Sequence, residues 1–414
     1  MTTRRVHVIG AGLAGLSAGV TLAGAGRVVT LHEAGPAAGG RCRSYFDRAL
    51  GCRVDNGNHL LLSGNRAAMD FLHRIGARDS LIGPASPEFP FMDVTTGERW
   101  VVRPNAGKIP WWIFSRARRV PGTRMRDYLG LVALRRVRGD APVAEVLRDN
   151  TLYRRLLEPL AIAALNTPPE QALACLLAVV VEETLARGGA AYIPCFPRLG
   201  MSETFIDPAL AWITERDGTM AFNRRISALR IVDSRVVALD STDGPVPVGA
   251  DDCVVLAVPP WIAGDLLPGL NPPNAFQAII NVHFRLEMPL PPGFVGLIGG
   301  VAEWVFTKPG HASVTISAAN RMVDDRAEGI AAATWRDVRQ ALGLPEPMPI
   351  WRVVKERRAT FAATSAQERL RPAARTAIKN LALAGDWTAT GLPATIEGAI
   401  RSGRAAADIL LAAA

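Results

Sequence analysis

The stretch Val6-His-Val-Ile-Gly10-Ala-Gly12-Leu-Ala-Gly15, near the start of the chain, decides the fold. The run from Val6 to Ile9 predicts a short buried strand, and the three glycines follow it directly. Beyond them, Leu16 and Val20 continue with helical spacing, and a second strand is predicted over residues 28–32. This order of strand, glycine turn, helix and strand predicts a Rossmann-like α/β unit that binds a dinucleotide.

Each glycine of this turn has a separate physical role. Gly10 permits a tight turn from strand to helix, Gly12 lets a pyrophosphate approach the backbone, and Gly15 lets the helix pack close to the sheet. The helix start would offer free N–H groups to the phosphates; these belong to Leu13, Ala14 and Gly15. Glu33, 23 residues after Gly10, is placed to accept hydrogen bonds from the adenosine ribose. The alternative is a glycine-rich turn in an unrelated sheet protein.

Two further glycine motifs favour FAD over NAD. Gly39-Gly40-Arg41 follows the ribose acid, and its arginine can neutralise pyrophosphate charge. Near the other end, a strand predicted over residues 381–384 leads into Gly385-Asp386, whose carboxylate can accept from ribityl hydroxyls. A helix predicted to start at Pro393 then points its positive end at the flavin; its first residues include Thr395 and Ile396. Two such sites at opposite ends of a chain fit a long, two-ended ligand.

Three longer stretches carry a family resemblance. They are Asp55-Asn-Gly-Asn-His-Leu-Leu-Leu62, Ala164-Leu-Asn-Thr-Pro-Pro-Glu-Gln-Ala172, and Lys355-Glu-Arg-Arg-Ala-Thr-Phe-Ala-Ala-Thr364 leading into Ala384-Gly-Asp-Trp-Thr-Ala-Thr-Gly-Leu-Pro-Ala-Thr-Ile-Glu-Gly398. The sequence resembles the flavin amine oxidase and phytoene desaturase superfamily from end to end. It is most similar to the squalene-associated FAD-dependent desaturase family. One departure is Asn58, where the resemblance leads us to expect glutamine before the histidine.

The resemblance implies a fold and a reaction. The fold is α/β, a Rossmann-like FAD-binding domain of the amine oxidase and phytoene desaturase type with an inserted, discontinuous α+β substrate domain. The reaction is the reduction of hydroxysqualene to squalene on a bacterial route to hopanoids, in which reduced FAD supplies hydride and the alcohol oxygen leaves as water. Two alternatives stay open: an FAD-dependent desaturase of a carotenoid-like polyene, and a non-catalytic flavoprotein that binds isoprenoid lipids.

The resemblance also places Gly57, Asn58 and His59 along the flavin face. Cleavage of the C–O bond needs a group that protonates or hydrogen-bonds the leaving hydroxyl. His59 is our candidate for this acid, and Asp55 is the second. The alternatives are a structural histidine bonded to the backbone near the cofactor and a carboxylate that stabilises a turn.

Three other positions are open to two interpretations. Asn166 either contacts the substrate hydroxyl or caps the turn before Pro168. Ile226 either packs on the adenine ring, as the resemblance implies, or packs in the core. Amine oxidases usually have a lysine near the flavin, and Phe284-Arg285 occupies the place where we would seek it, which disfavours amine oxidation.

The sequence predicts two interleaved domains. Residues 1–75, 205–265 and 375–414 form the FAD-binding domain, and residues 76–204 and 266–374 form the substrate-binding domain. The five cysteines are scattered and the six histidines form no cluster, so we expect neither a metal site nor disulfides. No signal peptide and no apolar run of about 18 residues are recognisable, which predicts a cytoplasmic protein.

A basic segment suggests contact with a membrane. From Arg103 to Arg138 the chain has ten Lys or Arg residues and one acid, Asp127, and this segment contains Ile109-Pro-Trp-Trp-Ile-Phe114. Aromatic residues beside basic ones suit a bilayer interface. We expect peripheral binding to the inner face of the cytoplasmic membrane and no nucleic-acid partner. The alternative is a solvated basic face with buried tryptophans. No second glycine motif for NAD(P)H is found, so the electron donor is not identified.

Overall fold

Two large sheets organise the chain, which is described over residues 4–413 by a computed structural model. The strands are β1 Arg5–Ile9, β2 Val28–His32, β3 Ser44–Asp47, β4 Cys52–Asp55, β5 Leu61–Leu62, β6 Leu81–Ile82, β7 Phe89–Asp93, β8 Arg99–Val102, β9 Pro194–Pro197, β10 Thr219–Ala221, β11 Ile226–Val232, β12 Arg235–Ser241, β13 Gly244–Pro247, β14 Cys253–Leu256, β15 Phe276–Arg285, β16 Gly293–Ile298, β17 Trp304–Lys308, β18 His311–Ile316, β19 Trp351–Phe361 and β20 Leu381–Leu383. The α-helices are α1 Leu13–Gly24, α2 Arg66–Arg74, α3 Leu129–Arg136, α4 Val143–Val146, α5 Glu158–Leu165, α6 Ala174–Glu183, α7 Asp207–Thr214, α8 Pro260–Leu266, α9 Ala327–Leu342, α10 Ser365–Glu368 and α11 Ile396–Ala412.

The first sheet is parallel and has the strand order β10-β2-β1-β14-β20. It confirms the predicted βαβ unit, since β1, α1 and β2 follow one another as the sequence indicates. Helix α11 packs against α1 so closely that a Cβ atom on Gly403 would overlap the carbonyl oxygen of Ala14. The Ser17 hydroxyl also donates to the Ile400 carbonyl at 2.8 Å. The last helix of the chain is therefore part of the first structural unit.

The second sheet is mixed and has the order β19-β15-β18-β17-β16-β7-β8. Helix α9 covers one of its faces, where Ile330, Trp335 and Val338 pack with Val282 and Val314. Each large sheet takes its strands from the stretches predicted for one domain. On this basis we propose that the chain forms two domains with the boundaries predicted from the sequence.

The C-terminal helix begins later than predicted. It starts at Ile396 and not at Pro393, because Thr395 has an extended backbone and its side chain accepts a hydrogen bond from the Gly398 N–H at 3.1 Å. Thr395 is thus the N-cap residue, the position that threonine favours. None of the helices within residues 4–413 is long and apolar enough to span a membrane.

Candidate functional site: a dinucleotide cleft at the junction of the two chain ends

The glycine turn after β1 leaves open space where the sequence predicts phosphate. Gly12 is the N-cap of α1, and no side chain within residues 4–413 caps this helix end. An added Cβ atom on Gly12 would meet no described atom within 4 Å, whereas one on Gly15 would overlap the Gly10 carbonyl oxygen. Gly10 itself has a φ of 101°, which favours glycine. The turn therefore combines an uncapped helix start, a bare backbone and tight packing behind it.

Glu33 holds this turn through the backbone. Its carboxylate accepts hydrogen bonds from the Ala11 N–H at 2.9 Å and from the Gly35 N–H at 2.8 Å. The predicted ribose contact is a further role for the same carboxylate, which lies partly exposed beside the turn. Gly40 lies against Gly12, since a Cβ atom added to Gly40 would be 3.6 Å from the Gly12 Cα. The second glycine motif thus borders the first.

Arg41 and Asp386 join the two ends of the chain. Their side chains, 345 residues apart in sequence, form an ion pair at 2.7 Å. Arg41 also donates to the Ala359 carbonyl at 2.6 Å. Asp386 is 5% exposed, and a Cβ atom on the preceding Gly385 would overlap the ring of Trp387. The residues predicted to contact pyrophosphate and ribityl groups therefore lie side by side at one site.

These features fit a long dinucleotide cofactor. An uncapped helix N-terminus suits phosphate groups, an arginine at 42% side-chain exposure can still contact them, and a second helix start follows Thr395. Of the residues predicted for FAD, Gly40 lies against Gly12, and Arg41 and Asp386 join the two chain ends. Ile226 lies elsewhere. That side chain is 6% exposed and packs with Ile9, Leu239 and Leu256, so the structure supports its role in the core.

A buried ion pair links the end of β4 to the second sheet. Asp55 and Lys308 are 2% and 4% exposed and form this pair. Asp55 also accepts hydrogen bonds from the Ser44 hydroxyl and the Met201 N–H. Burial alone would raise the pKa of Asp55, but Lys308 and these donors outweigh it and hold the pKa below its usual value. An ionised, fully bonded carboxylate is a poor proton donor, which argues against Asp55 as the acid.

His59 is neutral at physiological pH. Burial lowers its pKa to about 4, and the nearby Lys308 and Arg41 lower it too, whereas Asp55 opposes them. Its Nε2 atom lies 3.9 Å from the Cys42 thiol. A neutral imidazole can donate a hydrogen bond from one nitrogen, but it does not supply a proton as an imidazolium would. The role of His59 toward the leaving hydroxyl stays a prediction, and in its neutral form the ring offers a hydrogen bond.

The orientation of the Asn58 amide follows from its neighbours. The Asn281 Nδ2 donates to the Asn56 carbonyl at 3.2 Å, so its Oδ1 accepts the Thr315 hydroxyl proton at 2.9 Å. Thr315 must then accept from the Asn58 Nδ2 at 3.0 Å, as Ser313 does at 2.7 Å. The Asn58 Oδ1 is left without a partner in the part of the chain that the structure describes.

One face of the second sheet has a polar half, on β15 and β18, and an aromatic half, on β17 and β16. Cross-strand neighbours in antiparallel strands point to the same face. Thr315 lies opposite both Asn281 and Trp304, and Ser313 lies opposite both His283 and Phe306. Strand β18 therefore separates a polar row on β15 from aromatic residues on β17. Phe294 on β16 continues the aromatic half, with ring centroids 6.2 Å from Phe306 and 6.3 Å from Trp304.

Asn166 does not offer a free group to a substrate. It is 3% exposed and has a left-handed backbone at the end of α5. Its Nδ2 donates to the Thr360 hydroxyl at 2.9 Å, and its Oδ1 accepts from the Ala318 N–H at 2.6 Å. These bonds tie α5 to the second sheet, so the expectation of a substrate contact is corrected to a structural role.

Four residues of this surface were not predicted from the sequence: Lys308, Ser313, Thr315 and His283. A signal for them was present in β18, where His311, Ser313 and Thr315 alternate with apolar residues in a strand that is buried throughout. Polar residues on alternate positions of a buried strand indicate a polar surface inside the molecule. Strand β17 similarly ends in a buried lysine.

Comparisons with known proteins agree with this geometry. The chain matches the Flavin containing amine oxidoreductase family over residues 13–287 and 306–411. It is 46% identical over 410 residues to the hydroxysqualene dehydroxylase of Sinorhizobium fredii, covering 99% of this chain and 98% of that protein. It is 47% identical over 418 aligned positions to the hydroxysqualene dehydroxylase of Rhodopseudomonas palustris, covering 99% of both chains.

A solved structure shows the same fold. The oxidoreductase from Methanosarcina mazei superimposes with a TM-score of 0.71 at 16% identity, covering 96% of this chain and 98% of that one. At this identity the likeness concerns the fold alone, so the assignment rests on the two full-length relatives and the family match. The chain belongs to the flavin-containing amine oxidoreductase family and, within it, to the hydroxysqualene dehydroxylases.

Proposed function

We propose that this protein is an FAD-dependent oxidoreductase that reduces hydroxysqualene to squalene. The observation that carries the proposal is the identity of 46–47% to two hydroxysqualene dehydroxylases along almost the whole chain. Matches confined to the cofactor motifs would support only flavin binding. Here the match includes the second sheet as well, and no observation favours the desaturase or the lipid-binding alternative.

The overall reaction replaces a hydroxyl group by hydrogen. Bound reduced FAD supplies the hydride; the C–O bond breaks, a C–H bond forms, and the oxygen takes up a proton and leaves as water. The glycine turn, Glu33, Arg41, Asp386 and the start of α11 would hold the cofactor. His59 would donate a hydrogen bond to the departing oxygen, where negative charge develops.

The second sheet supports a substrate with one polar group on a long hydrocarbon. The polar row of Asn281, His283, Ser313 and Thr315 adjoins Asn58, whose free carbonyl can accept from an alcohol. The adjoining aromatic rings would stabilise positive charge on carbon as the C–O bond breaks. A hydrocarbon product would leave the Asn58 Oδ1 unpaired, and this difference favours its release.

Product analysis with chemically reduced enzyme tests the proposal. Anaerobic mixing of FADH₂-loaded protein with hydroxysqualene should yield squalene and reoxidise the flavin in equal amounts. Bleaching of the oxidised flavin by a polyene would instead identify a desaturase. Tight lipid binding without any redox change would identify a carrier protein. A colourless, folded protein that does not bind added FAD would contradict the assignment as a whole.

We also propose that residues 103–138 bind an anionic membrane. Exposed apolar side chains support this: Ile109, Trp111, Phe114, Met125, Leu129 and Val132 are each between 46% and 65% exposed. Nine of the ten basic residues around them are exposed. Trp112, in contrast, is 9% exposed and packs edge-on against Tyr128 at 5.3 Å, so it belongs to the core.

Flotation with anionic vesicles tests the membrane proposal. The variant Trp111→Ser with Leu129→Ser should float less than the wild-type protein, because exposed apolar side chains lose their burial in the bilayer. The control is Ile350→Ser, an exposed apolar residue at 50% exposure outside the segment. Equal flotation of the double variant and the wild type would contradict the proposal, as would flotation that is independent of lipid charge.

A further inference from the structure

The Cys42 thiol is fixed beside the His59 ring. Cys42 ends the short turn of Gly40–Cys42, and its N–H donates to the Gly39 carbonyl at 2.9 Å. The neighbouring Arg41 is held by Asp386 and by the Ala359 carbonyl. Cys42 is 8% exposed, and its sulfur lies 3.9 Å from the His59 Nε2. The thiol is therefore enclosed next to the imidazole on a backbone that is itself hydrogen-bonded.

The thiol stays protonated and can act as a donor. Burial raises the pKa of Cys42 to about 12, with Asp386 and Asp55 adding to the rise and Arg41 opposing it. A thiol is a weak donor but an even poorer acceptor, whereas an unprotonated imidazole nitrogen is a good acceptor. The better pairing of the two groups is thus S–H donating to Nε2, and it leaves the ring proton on Nδ1.

The other ring nitrogen of His59 is Nδ1, and no described residue competes with a ligand for its hydrogen bond. The His59 Nδ1 makes no hydrogen bond to any residue between 4 and 413, yet it is not among the buried unpaired atoms. The ring as a whole is partly exposed. A proton on Nδ1 is therefore accessible to a ligand, while a proton on Nε2 would point at sulfur in a buried place.

We propose that Cys42 is a positioning residue that fixes the neutral His59 in its Nδ1–H tautomer. In water the neutral imidazole prefers the Nε2–H form, so the protein reverses the usual preference. The two neutral tautomers are close in energy, so a weak S–H bond to one nitrogen can decide between them. The use of this Nδ1–H toward the departing hydroxyl oxygen rests on the proposed function. No proton transfer from His59 is required.

Nuclear magnetic resonance of the FAD-loaded, oxidised protein tests the tautomer directly. Long-range ¹H–¹⁵N spectra of histidine-labelled protein distinguish protonated from bare ring nitrogens, and a His59→Gln variant assigns the signals. We expect the proton on Nδ1 in the wild type and in Cys42→Ser, which keeps a donor, and on Nε2 in Cys42→Ala. The matched control is Cys195→Ala, because the buried Cys195 thiol donates to the Leu61 carbonyl instead. A wild-type proton on Nε2, or an unchanged tautomer in Cys42→Ala, would overturn the proposal.

Turnover provides a second readout. In Cys42→Ala, kcat for hydroxysqualene should fall at least tenfold with KM changed less than about twofold, since a donor to the developing charge is lost. Cys42→Ser should restore kcat, and flavin absorbance should show full FAD content in every variant. If the proton moves between variants as expected but the wild-type protein has no dehydroxylase activity, the tautomer proposal stands and the proposed function is refuted. Normal kcat in Cys42→Ala with a switched tautomer would refute the use of Nδ1–H in catalysis.

Discussion

At the scale of single residues, Glu303 is a carboxyl group that the fold prefers to keep protonated. Its Oε2 accepts from the Ser317 N–H at 2.7 Å. Burial raises its pKa to about 7, although Ser317 and Arg321 oppose the rise. Because the folded pKa lies above the ordinary value of 4.5, Glu303 contributes stability below pH 4.5 that is lost as the pH rises through 7.

We therefore expect Glu303→Gln to gain stability relative to the wild type as the pH rises. The difference in unfolding free energy between variant and wild type should shift by about 3 kcal/mol between pH 4.5 and pH 8, because each pKa unit corresponds to about 1.4 kcal/mol. Urea unfolding at both pH values measures it. The exposed Glu328→Gln makes the same chemical change as a control, and a parallel shift in that variant would contradict the prediction.

At the scale of elements, Glu397 connects two helices that are distant in sequence. It lies in the first turn of α11 and is 4% exposed. Its carboxylate accepts from the N–H groups of Ala67 and Ala68 at 3.0 and 2.9 Å, so it caps the start of α2. Arg401, one turn later, pairs with it at 2.8 Å and neutralises its charge. The negative charge also matches the positive end of the α2 dipole.

Glu397→Gln should cost about 2 kcal/mol of unfolding free energy. The amide keeps the size of the side chain but loses one acceptor and the charge. It leaves a backbone N–H without its partner and removes one of the two carboxylates that pair with Arg401, the other being Glu183. Glu328→Gln, in the first turn of α9 with an exposed side chain, should change stability by less than about 0.5 kcal/mol. Chemical unfolding followed by circular dichroism compares the two. Equal effects would show that Glu397 has no special capping role.

The elements also show which features the sequence could predict. The βαβ unit was predictable because strand, glycine turn and helix are contiguous in the sequence. Each glycine is also required by the local backbone conformation or by close packing within the unit. The polar row of β15 and β18 depends on pairing between distant strands, and only the alternation within β18 indicated it. The Asp55–Lys308 pair joins residues 253 positions apart, and neither residue type specifies the other locally.

At the scale of the whole molecule, variants of the Arg41–Asp386 pair can test whether the two chain ends form one cofactor site. Each single alanine variant should raise the FAD dissociation constant at least tenfold, because a charge-assisted contact contributes about 1.5–3 kcal/mol. The double variant should lose less than the sum, since the two side chains support each other. Fluorescence titration with FAD measures all three.

A second long-range ion pair supplies the control. Arg369 and Asp140 are 229 residues apart and pair at 2.6 Å, but both are more than half exposed. Their alanine variants should leave FAD affinity unchanged. If they weakened it as much as the Arg41 and Asp386 variants do, the effect would reflect general destabilisation and the single-site interpretation would be wrong.

The folded protein should lose stability in acid, because it holds several buried histidines in their neutral form. Burial lowers the pKa of His32, His59 and His311 to about 4 and that of His283 to about 3. Because these folded values lie below the ordinary 6.5, the unfolded chain gains protons that the folded protein excludes, and stability is lost as the pH falls from 6.5 toward 4. Each histidine costs about 2 kcal/mol at pH 5 relative to pH 7.5. Glu303 opposes this loss, because its raised pKa stabilises the fold at low pH.

Because an ordinary protein has a total stability of about 5–15 kcal/mol, losses at several histidines should make this protein markedly less stable at pH 5 than at pH 7.5. Urea unfolding at pH 7.5 and pH 5 should show the difference. The His32 Nδ1 is buried without a partner among residues 4–413, and His32→Asn should reduce the pH-dependent loss by about 2 kcal/mol. The exposed His73→Asn should leave that loss unchanged, because the surface side chain is not enclosed on folding. Stability that is equal at the two pH values would mean that water reaches these histidines in the folded protein.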